Sequence, residues 1–96
     1  MSTMDELTKD LLLQAGFEII GRDKVCEKYE LRTKWQTIHI WHNYVAPYSP
    51  FRVGGIIHTG DRATVRTTGQ LFDAVCLFGA DQTTREYFFK HLIGEV

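Results

Sequence analysis

Four histidines and two cysteines are the side chains of this 96-residue chain best suited to nucleophilic, acid–base or metal chemistry. His39 and His42 form an H-x-x-H pair. On a helix that spacing shares one face and can hold zinc. On a strand it sends the two rings to opposite faces, where they cannot meet on one ion. The surrounding residues read as a strand, so no metal site is expected here. His58 falls on a core-facing position and His91 on a late helix. There is no H-E-x-x-H, no paired cysteine motif and no Asp-x-Asp loop to suggest a metal or any other cofactor. Cys26 and Cys76 lie far apart, with no C-x-x-C, and read as two reduced thiols, with one disulfide between them as the alternative. Cys76 sits in an apolar helical stripe and is expected to be inert. Cys26 lies on a polar strand face near Lys28, whose charge would favour the thiolate. That single thiol, with no G-x-S-x-G, Walker loop or G-x-G-x-x-G, leaves a small Cys/His enzyme as a minority alternative. His58-Thr59-Gly60-Asp61 has the composition of a hairpin turn, and no catalytic residue is assigned.

A second group of side chains is suited to binding. Trp35, His39, Trp41, Arg62 and Arg66 combine aromatic surface with guanidinium groups. Such a face anchors protein interfaces, where Trp and Arg are enriched. It can also stack bases and meet phosphates. Which of these applies depends on whether the tryptophans are open or covered by helices, as large aromatics in small domains often are.

Periodicity supplies the elements that must position these groups. Met4, Leu7, Leu11 and Ala15 recur at helical spacing behind a Thr3/Glu6 capping box, and Gly16 sits where a helix C-cap favours positive φ. Phe17–Ile20 reads as a strand, and Gly21–Lys24 as a turn. In the next run Val25, Glu27, Tyr29 and Leu31 point one way, and Cys26, Lys28, Glu30 and Arg32 the other. Arg32–Lys34 is a weak turn. Over residues 35–45, Ile38, Ile40, His42 and Tyr44 share the expected core face. Trp35, Thr37, His39, Trp41 and Asn43 share the opposite one. Pro47 and Pro50 define a loop. A two-residue turn at Gly60-Asp61 predicts a hairpin pairing His58 with Ala63 and Ile56 with Val65, with Arg62, Thr64 and Arg66 on the other face. Gly54-Gly55 suggests a bulge. Thr67/Gln70 and Thr83/Glu86 predict capping boxes for two final helices. The first carries Leu71, Phe72, Val75 and Cys76 and is closed by Gly79. The second carries Phe88, Phe89, Leu92 and Ile93 and is followed by Gly94. Helix-versus-strand ambiguity is greatest for the nearly continuous apolar run 71–78. The expected architecture is α+β. It has an N-terminal helix, about five mostly antiparallel strands in one sheet, and two C-terminal helices packed on one face of it, all in a single domain spanning 1–96.

Composition sets the outer limits. Apolar residues make up 44% and charged residues 24%, the balance of a folded globular domain. Eleven basic and twelve acidic residues leave a net charge of −1, which excludes histone-like polycations and acidic DNA mimics. Charge is unevenly spread, at −3 over residues 1–30, +4 over 31–72 and −2 over 73–96. No apolar run is long enough to cross a membrane, and Asp5 and Glu6 stand where a secretory signal carries positive charge. A cytoplasmic protein without membrane attachment is expected. A double-stranded-RNA-binding domain needs a lysine-rich start to its final helix, where this chain has Asp81-Gln82-Thr83-Thr84-Arg85-Glu86. An RRM needs a βαββαβ order and an aromatic RNP motif, also absent. The sequence therefore predicts a non-catalytic interaction protein that binds another protein, or a second copy of itself, through the sheet face carrying Trp35, His39, Trp41, Arg62 and Arg66. Apolar residues on both faces of the Ile56-Ile57 stretch add to that reading. The alternative is a nucleic-acid-binding module using residues 31–72.

Overall fold

The alternation along residues 26–43 becomes a two-faced sheet. A computed structural model describes residues 6–34, 36–46, 48–54 and 62–93. Five strands follow one another as an antiparallel meander: β1 (Glu18–Arg22), β2 (Cys26–Arg32), β3 (Thr37–Asn43), β4 (Phe51–Gly54) and β5 (Ala63–Val65). Helix α1 (Lys9–Gln14) precedes them. Helices α2 (Thr68–Leu77) and α3 (Gln82–Phe88) follow, and a π-helical turn (Phe89–Ile93) extends the last. The chain is thus α+β, and no described helix is long and apolar enough to cross a membrane.

Cross-strand register arranges the core in rows. Tyr29, Ile40 and Val53 lie opposite one another, as do Leu31 and Ile38, and Phe51 and Val65. All are buried, and with Leu12 of α1, Leu71 and Val75 of α2, and Phe88 and Leu92 beyond them they form one apolar cluster. Each such side chain contributes about 1.5–3 kcal/mol on burial. The helices therefore serve one face of the sheet. The other face alternates to Cys26, Lys28, Glu30 and Arg32 on β2 and to Thr37, His39, Trp41 and Asn43 on β3, all half-buried or exposed.

Several local expectations hold, and several are corrected. Gly16 and Gly79 take positive φ after α1 and α2. The Thr67/Gln70 capping box is complete, and the ambiguous run is helix through Leu77, with Phe78 as its C-cap. The first helix begins later than its apolar spacing suggests. Thr8 is its N-cap, while Glu6 bridges Thr67 and the Leu7 amide donates to the Arg66 carbonyl at 2.8 Å. Pairing with the segment before α2 holds residues 6 and 7 extended. Gly21 and Arg22 belong to β1 and not to a turn. The turn falls at Asp23, whose Oδ1 accepts from the Val25 and Cys26 amides at 2.8 and 2.6 Å. Those bonds hold the Asp23 carboxyl below its usual range. The cap of α3 is Asp81, whose Oδ1 accepts from Thr84 N at 2.8 Å, and not Thr83. Thr84 is buried, its hydroxyl 2.9 Å from that of Thr33.

The largest correction concerns the last hairpin. Val65 lies opposite Phe51, and Ala63 opposite Val53, in place of Ile56 and His58. Turn chemistry at Gly60-Asp61 cannot fix a register that burial of Phe51, Val53 and Val65 on the core face already sets. Gly54 continues the ladder opposite His39, and the sheet's bulge falls in β1, between Ile19 and Gly21. There it twists an edge strand, which discourages pairing with another chain. Gly55, Ile56, Ile57, His58, Thr59, Gly60 and Asp61 lie outside the described residues, as do Thr3, Met4, Trp35, Pro47 and Gly94.

Candidate functional site

Strand alternation sends His39 and His42 to opposite faces. His39 is half-buried on the open face and His42 is buried on the core face. Among the described residues no group of three or more His, Cys, Asp or Glu side chains is placed to hold a metal ion. Cys26 and Cys76 are both free thiols, and burial pushes the Cys76 thiol up, away from the reactive thiolate.

On the open face, one row runs across four strands. Lys28 on β2 lies opposite Trp41 on β3, Trp41 lies opposite Arg52 on β4, and Arg52 lies opposite Thr64 on β5. Direct cross-strand neighbours of this kind interact through their side chains. The Arg62 guanidinium, from the residue before β5, lies over the indole at 4.1 Å from its centroid, and the Lys28 ammonium at 5.3 Å. Three cations therefore surround one tryptophan. Cation–π attraction holds Arg62 over the ring, and a guanidinium fork can pair with a carboxylate or phosphate.

The next row is Glu18, Glu30, His39 and Gly54. Glu30 is clamped by His39 Nε2 at 2.9 Å and by Arg32 Nε at 2.9 Å. The His39 hydrogen bond, helped by Arg32, holds its carboxyl below the usual range despite some burial. The His39 ring lies 5.8 Å from that of Trp41. Of the binding residues expected from sequence, the structure brings His39, Trp41 and Arg62 together. Arg66 stands apart, with Nη1 donating to the Tyr48 carbonyl at 2.9 Å in the loop before β4. Trp35 lies outside the described residues. Lys28 and Arg52, which complete the cluster, were legible only once the strands had neighbours.

The core face carries a second constellation that sequence reasoning passed over. Glu27 lies opposite His42 in the ladder, and both are buried. The Tyr29 hydroxyl donates to Glu27 Oε1 at 3.2 Å. Arg22 Nη2 and Lys9 Nζ stand 3.1 and 3.5 Å from Oε2. Burial, and then the neighbouring carboxylate, pushes the Tyr29 phenol well above its ordinary range. The His42 ring stacks on Phe51 at 3.9 Å, nearly parallel, and its Nε2 is 3.1 Å from the Ser49 carbonyl. A carbonyl only accepts, so Nε2 carries the proton. Burial lowers the affinity of this ring for a second proton, with the Ser49 bond and Glu27 acting the other way. Neutral His42 therefore presents Nδ1 as an acceptor. A cavity of about 360 Å³ opens against this group, between the start of α1 and the loop from Tyr44 to Phe51. The available signal was an acid and a histidine at core-face positions of adjacent strands.

This chain matches no protein-family model, no curated protein and no solved structure.

Proposed function

We propose that this chain is a small non-catalytic binding module whose open sheet face takes a carboxylate-rich segment of another protein. One observation carries the reading: Arg62 stacked on Trp41, with Lys28 and Arg52 on either side of the indole. Three cations on an aromatic base complement acidic side chains, and Arg presents the planar fork that pairs with a carboxylate in bidentate fashion. Trp41 is half-buried beneath Arg62, so a nucleobase would have to displace the guanidinium before stacking. A symmetric pair of chains meeting through this face would bring like charges together, which disfavours self-association there. Two free thiols suit a reducing compartment, so the cytoplasm is the proposed location.

Titration of tryptophan fluorescence at low salt with an oligoglutamate peptide tests the reading. Saturable binding that weakens with salt, and is abolished in the Arg52→Glu/Arg62→Glu variant, is the expected result. Tighter binding of oligothymidylate would transfer the face to nucleic-acid recognition. Absence of peptide binding at low salt would remove the reading altogether.

A further inference from the structure

We propose that the cavity over Glu27 binds a small organic amine in its protonated form, an alkylammonium on an apolar or aromatic body. The site is separate from the open sheet face and does not depend on the reading of that face. Its deepest charge is a carboxylate whose side chain keeps 3% exposure, whereas the cations that balance it keep 45% (Lys9, in the lining) and 56% (Arg22, outside it). The Lys9 ammonium stands 3.5 Å from Oε2, beyond the 2.7–2.9 Å typical of a strong charge-assisted bond. A compact, strongly hydrated ammonium on a flexible stem returns to water at little cost. It therefore occupies, loosely, the position that a ligand ammonium would take.

The walls fit the same chemistry. Tyr29, Tyr44, Tyr48 and Phe51 line the cavity, and aromatic faces attract cations. Tyr44 shows that capacity, since the Arg22 guanidinium, itself outside the lining, lies 4.5 Å from the centroid of its ring. His42 is neutral and offers an acceptor, and Glu6 adds a second carboxylate to the lining. An anion entering the same space would meet two carboxylates, Glu6 and Glu27. The volume lies near the lower end of the range for small-molecule pockets, which suits a ligand of one ring or a short chain.

The test is a titration of the full chain with phenethylammonium, followed by calorimetry and by the tyrosine ring signals in NMR. Neutral 2-phenylethanol and anionic phenylacetate serve as matched controls. Saturable binding of the amine at millimolar concentrations or below is expected, with shifts at Tyr44 and Tyr48 and no binding of either control. Lys9→Met removes the competing ammonium and should tighten binding several-fold. Tyr48→Ala, at a side chain that is 87% exposed and so without effect on folding, should weaken it several-fold. Glu27→Gln should weaken it about tenfold or more. Preference for phenylacetate, weaker amine binding in Lys9→Met, or no saturable amine binding would each overturn the proposal. The Lys9 and Tyr48 variants keep the test decisive even if Glu27→Gln fails to fold.

Discussion

Stripping Glu27 of its counter-ions should damage this fold far more than neutralising Glu27 itself. The perturbation is Lys9→Met with Arg22→Met, which keeps both aliphatic stems and removes both charges. At an effective dielectric of about 20, a cation at 3.1 Å and another at 3.5 Å each contribute about 5 kcal/mol of attraction, falling to about 1 kcal/mol each in bulk water. The cations are about half-exposed and the carboxylate is not, so the true value lies between these limits. A buried carboxylate left without a counter-ion, keeping only the Tyr29 hydroxyl, then costs about 3–5 kcal/mol. In a domain of this size that lowers the melting temperature by about 15–30 °C. Glu27→Gln behaves differently, because the amide oxygen still accepts from the Tyr29 hydroxyl and the freed cations return to solvent. Its cost should stay within about 1 kcal/mol. The triple variant should therefore recover most of what the double variant loses, a coupling of about 2–4 kcal/mol. Urea unfolding followed by circular dichroism measures all four proteins, and unchanged m-values license the comparison. If Glu27→Gln proves as damaging as the double variant, or the triple variant is no more stable than the double, the buried-charge reasoning is wrong.

Two further outcomes follow from single positions. Gly16→Ala forces a side chain into a φ of 101°, and its Cβ would collide with Tyr87 Oη, whose hydroxyl donates to the Ala15 carbonyl at 2.8 Å. The expected loss in a urea titration is about 2–3 kcal/mol, and a loss below about 0.5 kcal/mol would contradict it. Stability should also fall with pH, first through His42. Burial depresses its folded-state proton affinity below the ordinary value of 6.5, so the unfolded chain binds a proton that the native chain refuses as pH drops through that region. Glu30, depressed below 4.5, adds a second loss at lower pH, as protonation removes its bonds to His39 and Arg32. A urea midpoint that stays flat between about pH 8 and about pH 5 would refute the His42 part, and His42→Gln should remove the slope in that window.

What could be read from the sequence divides along physical lines. Period-2 alternation in residues 26–43 assigned every side chain of β2 and β3 to its observed face, because that signal depends on backbone geometry alone. Capping at Thr67 and positive φ at Gly16 and Gly79 are equally local, and the structure has both. The hairpin register was lost because it depends on which strand buries Val65, a non-local matter, while Gly60-Asp61 suggested a pairing by composition alone. The helix start was lost because bonds from residues 6 and 7 to the segment before α2 outweigh helical spacing. The same limit applied to the sites. Trp41, His39 and Arg62 were legible as residue types, whereas Lys28 and Arg52 became members of the cluster only through strand order. Glu27 and His42 sat in plain view at core-facing positions. An acid on an apolar face reads as an exception until its cross-strand neighbour and its cations are known.

Both candidate sites rest on one register, and this couples them. Glu27 faces His42 in one row of the β2–β3 ladder, and Lys28 faces Trp41 in the next. A slip of one residue in either strand would turn its whole set of side chains over, carrying Trp41 or Lys28 inward and Glu27 or His42 outward. Burial of Tyr29, Leu31, Ile38 and Ile40 opposes the slip. So does the turn between the strands, where the Thr33 amide donates to the Gln36 carbonyl at 2.8 Å and the Thr33 hydroxyl accepts from the Gln36 amide at 3.1 Å. Neither site can therefore drift alone. The same alternation also keeps unlike chemistry apart, with the Trp41 cations on one face of the sheet and the buried Glu27 carboxylate, with its half-exposed counter-ions, on the other. A net charge of −1 for the whole chain therefore does not describe either surface, and a ligand or partner meets only one of them at a time.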